Sequence, residues 1–215
     1  MSKSNQDNTT AKTLKIGVTG GAGSGKTFVC NYLKKLGLNV ISSDDLARRA
    51  VEPGMPAHEK IVNHFGQSVL LHNGTLDRAK LRGMITEDKA ARTALERFVH
   101  PQIDELIKLE ILRAQRQGER FLLLEVPLLF ELGIQGRFDL IVLVSAEREL
   151  RIQRLMQRDN VERREAEALL NVQLPDAHKN QQVNYVIKNN GSLEELKDRV
   201  AIFHKELIKN MQKKN

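Results

Sequence analysis

Short apolar runs alternate with longer amphipathic stretches along this chain. Leu14–Thr19 is a β-rich run that ends in glycines, and Thr27–Leu36 then sets Val29, Leu33 and Leu36 on one side at helical spacing. Gly37 ends that helix, and Leu38–Ile41 predicts a second strand. Strand, Gly-rich turn, helix and strand make a βαβ unit, which implies a parallel sheet. Phe121–Glu125 and Leu140–Val144 are continuous apolar runs of the kind found in strands covered on both faces. A turn or short helix must fill Pro127–Phe138 between them. Tyr185–Ile187 predicts a last strand, closed by Asn189-Asn190-Gly191. Ser192, with Glu195 three residues on, is a capping-box signature for a terminal helix to about Met211.

Two stretches have a different texture. After the breaks at Pro53-Gly54 and Pro56, residues 57–117 are mostly helical in pattern, with a turn at Asn73-Gly74 and a break at His100-Pro101, where proline suits the first turn of a new helix. Glu147–Gln173 is helical and dense in charge. Residues 1–13 are polar, with almost nothing to bury, and read as a frayed tail.

Composition narrows the class. The 215 residues carry 34 Lys+Arg against 27 Asp+Glu, a net charge of +7, which fits nucleic acid or a phosphorylated ligand as partner. The single cysteine, Cys30, excludes an intrachain disulfide framework and fits a reducing cytoplasm, where it reads as a small core residue. No apolar run approaches the roughly 20 residues of a membrane span, and no charged-then-apolar leader opens the sequence. Aromatic residues make up only 4%, so the stacking platforms of nucleic-acid binders are scarce.

The strongest chemical signal is Gly20-Gly21-Ala22-Gly23-Ser24-Gly25-Lys26-Thr27, which fits G-x-x-x-x-G-K-[ST]. A loop that wraps a polyphosphate must turn its backbone N–H groups inward, and glycines permit that conformation. The helix that follows points its positive end at the anion, Lys26 is long enough for the β- and γ-phosphates, and the Thr27 hydroxyl can ligate Mg²⁺. The motif stands after a strand and before a helix, as this chemistry requires. No Asn-Lys-x-Asp run is present, so a regulatory GTPase is excluded. Glu125 ends the third strand, where its carboxylate can hydrogen-bond a water on that metal. Asp44 and Asp45 follow the second strand, at the sheet end where ligands of open α/β sheets bind. There a carboxylate can take a proton from an acceptor hydroxyl, and aspartate also serves as a helix N-cap; spacing does not choose between the two. Arg151, Arg154 and Arg158 share one helix face and can either close over a transferring phosphoryl group or pair with Glu147, Glu149 and Asp159.

These residues, taken in order, resemble the dephospho-CoA kinase family from about Lys15 to Leu207. The similarity is carried by Thr19–Thr27, Asp44-Asp45-Leu46-Ala47-Arg48, Val51-Glu52-Pro53-Gly54, Gly74-Thr75-Leu76-Asp77-Arg78 and His100-Pro101. It continues through Val126-Pro127-Leu128-Leu129-Phe130-Glu131, Gln153–Asp159 and Tyr185–Gly191. The resemblance implies phosphorylation of the ribose 3′-hydroxyl of dephospho-CoA by ATP with Mg²⁺, in the cytoplasm, by a monomer or weak homo-oligomer, with no nucleic-acid or membrane partner. It implies ATP binding by Gly21, Ala22, Gly23, Ser24, Gly25, Lys26 and Thr27, with Arg158 in the lid and Asn190 near the adenine. It also implies Asp44 as the catalytic carboxylate, acting with Lys26 and Arg154, and acceptor binding by Asp44, Arg78 and His100. Ser42 stands where the family pattern has a further aspartate, Asn73 where Asp-Gly is frequent, and Asn184 where aspartate commonly precedes the last strand. The alternatives are another P-loop nucleotide or metabolite kinase and a nucleic-acid-dependent ATPase.

The expected fold is α/β, of the P-loop nucleoside-triphosphate hydrolase type: a five-stranded parallel sheet with helices on both faces. A single domain over 14–210 is expected, with its core at 14–54, 119–146 and 183–210, a helical CoA-binding region at 55–118 and a lid at 147–182.

Overall fold

A computed structural model describes residues 12–212 of the chain, which fall into two compact units. One comprises the chain up to Ile41 and from Ala114 onward; the other is Ser42–Arg113. Residues 42–54, expected with the sheet, therefore group with the helical unit.

The first unit is built on a sheet of β1 (Leu14–Thr19), β2 (Asn39–Ser42), β3 (Phe121–Glu125), β4 (Leu140–Ser145) and β5 (Tyr185–Lys188), in the order β2-β3-β1-β4-β5. β1 is central. It runs parallel to β3, with Val18 opposite Glu125, and parallel to β4, with Thr19 opposite Leu143; β5 runs parallel to β4. The chain order reverses across β1, so the loop leaving its carboxyl end opens into the crevice between its neighbours, the place where doubly wound sheets bind ligands.

One face of this sheet packs on α1 (Lys26–Lys35) and α9 (Leu193–Gln212). Ile16, Val18, Leu123, Val142 and Val144 meet Val29 and Leu33 of α1, and Leu196, Val200, Phe203 and Leu207 of α9. The four α9 residues recur at spacings of four, three and four, an apolar helical stripe. Ser192 Oγ accepts the Glu195 N–H at 3.2 Å, capping α9 as its sequence suggests. On the other face, Gly17 leaves room for its neighbours: a Cβ there would stand 2.7 Å from Leu129 Cδ1 and 3.0 Å from Phe138. The turn between β3 and β4 thus packs directly on the central strand.

The charged stretch after β4 forms α6 (Arg148–Asp159), α7 (Arg163–Asn171) and α8 (Asp176–Asn180). The helical pattern over 147–173 is broken at Asn160, whose left-handed conformation (φ 51°) ends α6. Ile152, Leu155, Ala166 and Leu170 give α6 and α7 a small core of their own, and Ala22 packs against it.

The second unit holds α2 (Ser43–Arg49), α3 (Pro56–Phe65), α4 (Arg78–Glu87) and most of α5 (Lys89–Arg116). Ile61, Val69, Leu76 and Leu81 are its buried centre, ringed by Phe65, Leu95 and Phe98. The break expected at His100-Pro101 is absent: α5 runs through Pro101. Proline there forgoes one backbone hydrogen bond, but Leu95, Phe98 and Val99 before it pack on this centre and Leu106 beyond it is buried. Packing on both sides outweighs the local penalty.

Of the expected tail, residues 1–11 lie outside the described part. Lys12 and Thr13 are tied down: the buried Thr13 donates its hydroxyl to Glu119 O at 2.8 Å, and Lys12 pairs with Asp139 at 3.1 Å.

Candidate active site

The loop Gly20–Thr27 leaves β1 and enters α1 with Gly23 and Gly25 at positive φ (74° and 89°), a conformation that favours glycine. Each glycine is also pressed from outside. A Cβ on Gly20 would strike Val144 O, one on Gly21 would strike the Arg151 guanidinium, and one on Gly25 would strike Asn189 Nδ2. A Cβ on Gly23 would lie 2.7 Å from Arg151 O. The glycines of the motif therefore serve the protein's own packing as well as the space a phosphate would need. The first N–H groups of α1, from Lys26 and Thr27, have no partner inside the helix by its geometry, and together they form an anion-seeking end.

Lys26 Nζ lies 2.5 Å from Glu125 Oε1, and Thr27 Oγ1 donates to the same oxygen at 3.1 Å. The pairing of Val18 with Glu125 delivers this carboxylate beside the loop. Both charged side chains are about nine-tenths buried, so the pair gains from its low-dielectric surroundings and is also costly to break singly. Cys30, one turn further along α1, is buried close by. Burial, and then the Glu125 carboxylate, push its thiol up to about 12.

α6 carries four arginines, and two of them, Arg151 and Arg154, reach the loop. Arg154 donates to Gly23 O (3.3 Å), to Asn189 O (3.1 Å) and to Asn189 Oδ1 (3.3 Å). Arg151, 8% exposed, donates through Nε to Ala22 O (2.8 Å) and through Nη2 to Gln173 Oε1 (3.1 Å), and lies 3.5 Å from Asp176. Arg158 turns outward and forms two 2.7 Å hydrogen bonds with its neighbour Asp159. Behind Arg151 the charges continue: the buried Lys179 lies 2.8 Å from Glu131. Burial raises the Asp176 carboxyl, against the opposing pull of Arg151 and Lys179. Burial would raise Glu131 too, but the Lys179 ammonium and the Leu174 N–H outweigh it and hold that carboxyl below its usual value.

At the end of β5 the two asparagines have opposite roles. Asn189 is buried, donates to Ser24 O at 2.8 Å and accepts from Arg154. Asn190, expected near a base, is exposed; it accepts the Glu147 N–H at 2.9 Å and donates to Glu147 Oε1 at 3.0 Å. Asn189, Gln173 and Glu131 are additions to the residues expected at the site. The signal for Asn189 was present in the strand: Ile187 in, Lys188 out and Asn189 in continue its period of two. Gln173 has no comparable local signal.

In the second unit, Ser42 caps α2, its Oγ accepting the Asp44 N–H at 3.2 Å. The cap is thus the serine that stands where the family pattern has aspartate, and neither Asp44 nor Asp45 is needed for it. Asp45 pairs with Arg48 at 3.1 Å. Asp44 lies exposed in the first turn, and within this unit its carboxylate has no ion-pair or hydrogen-bond partner among the described residues. Arg78 is the first residue of α4, behind the Asp77 cap, and His100 lies midway along α5; both are exposed.

The family model for dephospho-CoA kinases matches residues 14–195. A dephospho-CoA kinase of Syntrophotalea carbinolica is 39% identical over 199 residues, covering 93% of this chain and 94% of the relative. One from Geobacter sulfurreducens is 42% identical over 185 residues, covering 86% and 94%. Among solved structures, a Thermus thermophilus protein is 35% identical with a TM-score of 0.77, covering 91% of this chain and 98% of its own. A dephospho-CoA kinase from Campylobacter jejuni is 26% identical with a TM-score of 0.72 and the same coverage. A shikimate kinase from Bacteroides thetaiotaomicron, 14% identical with a TM-score of 0.52, shares the fold.

Proposed function

This chain belongs to the dephospho-CoA kinase family, and we propose that Lys26, Asp44 and Arg154 divide between them the transfer of the ATP γ-phosphoryl group to the ribose 3′-hydroxyl of dephospho-CoA. The observation that carries this reading is the loop Gly20–Thr27, shaped to surround phosphates, with Lys26 and Thr27 at its exit. Without nucleotide, Lys26 is held by Glu125. An arriving triphosphate takes Lys26 over, and the ammonium then offsets the charge on the transferring group. Arg154, anchored to the loop at Gly23 O and to Asn189 through its two terminal nitrogens, offers its positive charge, and the Nε–H that none of these bonds uses, to the same phosphates. Asp44, uncommitted within its unit and in the first turn of α2, accepts the proton of the acceptor hydroxyl. Arg78 and His100, exposed on α4 and α5, offer a cation and a hydrogen-bonding ring to the pyrophosphate-bearing acceptor.

Mg²⁺ fits this site. It prefers oxygen donors, keeps several waters and takes only one or two protein groups beside substrate phosphates. Thr27 Oγ1 and Glu125 Oε1, 3.1 Å apart, provide a hydroxyl and a carboxylate suited to that coordination. When bound, the ion would neutralise charge on the phosphates. No described helix is long and apolar enough to cross a membrane, and a single buried thiol is compatible with a reducing cytoplasm.

An ADP-release assay over a panel of acceptors tests the proposal, with Lys26→Ala and Asp44→Asn as controls. Dephospho-CoA should stimulate turnover above nucleoside monophosphates and shikimate, and each substitution should lower kcat by at least about a hundredfold. Failure of dephospho-CoA to stimulate, or an intact rate in Asp44→Asn, refutes it.

A further inference from the structure

The phosphate-binding loop is held from behind by two side chains that do not belong to the motif. Ala22 sits between Gly21 and Gly23 and is the one residue of that stretch with a side chain to anchor. Its N–H donates to Gln173 Oε1 at 3.0 Å, and its carbonyl accepts from Arg151 Nε at 2.8 Å. Arg151 Nη2 closes the ring by donating to the same Gln173 oxygen at 3.1 Å. Both polar groups of one residue are thus taken up, and its methyl packs on the small core of α6 and α7. Arg151 is itself fixed. It is buried, its third nitrogen faces Asp176, and its bulk is what forbids a side chain on Gly21. A guanidinium so engaged has no fork left for a phosphate.

We propose that Arg151 and Gln173 form a latch that shapes the ATP-binding loop from its outer side before nucleotide arrives, with Arg151 a positioning residue and Arg154 left to act on the phosphates. Glycines at 21 and 23 give the loop conformational freedom that must be lost on binding. Restricting it in advance raises the fraction of molecules able to bind, and apparent affinity scales with that fraction. The latch lies on residues 147–182, the expected lid, so the same contact joins loop shape to the position of α7 and α8.

This inference rests on the nucleotide reading of the loop, and the test separates the two. Mg–ATP affinity is measured by calorimetry for the wild type, Arg151→Lys, Gln173→Leu and the double variant. Steady-state kinetics and amide exchange of the 20–27 peptide in nucleotide-free protein accompany it. Lysine keeps the charge opposite Asp176 but cannot span Ala22 O and Gln173 together; Gln173 is partly exposed, so leucine there is the gentler perturbation. The latch predicts about a tenfold weaker ATP affinity in either single variant and little further loss in the double, because both hold one residue. It also predicts kcat at saturating ATP within about twofold of wild type, an unchanged KM for the acceptor, and faster exchange in the loop peptide. A kcat loss at unchanged ATP affinity overturns it, as Arg151 would then act on the reacting group. Additive effects, or unaltered exchange in Gln173→Leu, overturn it as well. If the wild type bound no ATP, the functional reading would fail, while exchange in the nucleotide-free protein would still decide the latch.

Discussion

Replacing Asn189 by leucine should destabilise the protein far more than the same change at Asn190, although the two are adjacent and chemically identical. Asn189 Nδ2 is the donor to Ser24 O at 2.8 Å in a buried setting. Leucine leaves that carbonyl buried without a partner, which costs about 1–3 kcal/mol. Arg154 also loses its contact to Asn189 Oδ1, but that contact is long at 3.3 Å, and the backbone carbonyls of Asn189 and Gly23 still hold the guanidinium. Its loss adds about 1 kcal/mol. The sum is about 2–4 kcal/mol, a roughly 30- to 700-fold larger unfolding constant. Asn190 is exposed, and water replaces the two hydrogen bonds it makes with Glu147, so Asn190→Leu should cost within about 0.5–1 kcal/mol. Urea denaturation followed by circular dichroism gives both values from the shift in midpoint. A loss below about 1 kcal/mol for Asn189→Leu, or a larger loss for Asn190→Leu, would show that the end of β5 does not brace the loop.

Two further predictions concern buried ionisable groups. Glu131 has a depressed carboxyl, so its pairing with Lys179 contributes stability above the unfolded value near 4.5 and loses it as pH falls through the lower folded value. The stability difference between wild type and Lys179→Met should therefore be greatest at about pH 6–7 and shrink below about pH 4; a difference constant with pH in thermal melts would refute the pairing. Asp176 works in the opposite sense, since its raised carboxyl costs stability as pH climbs through the normal aspartate range. Cys30, with its thiol pushed up to about 12, should resist a disulfide-exchange reagent at about pH 8 in the folded protein and react fully in urea. Rapid native reaction would place the thiol at the surface.

The parts of the molecule legible in the sequence are those governed by local rules. β1, the loop and α1 follow from alternation, glycine conformation and helical spacing within about twenty-five residues. β3 and β4 follow from uninterrupted apolar runs. What the sequence concealed depends on contacts between distant segments. Pro101 carries the strongest local signal for a break, and packing around Leu95, Phe98 and Leu106 overrides it. α8 is five residues long and has no apolar stripe; the pairing of Lys179 with Glu131, 48 positions earlier, ties it to the turn after β3. The arginine triplet was visible as one face of a helix. Its division into a brace (Arg151), a loop contact (Arg154) and an exposed ion pair (Arg158) depends on where α6 lies beside the loop.

Lys179 gives the protein an internal clock. A lysine amine normally reacts with acylating reagents at a rate set by the reagent, but this one is 1% exposed and engaged with Glu131. It becomes available only while α8 is displaced, so the rate at which it is labelled, relative to the exposed lysines of α9, counts openings of this segment. A short labelling pulse read by mass spectrometry would report that motion in the unmodified chain, with no probe attached and no residue changed.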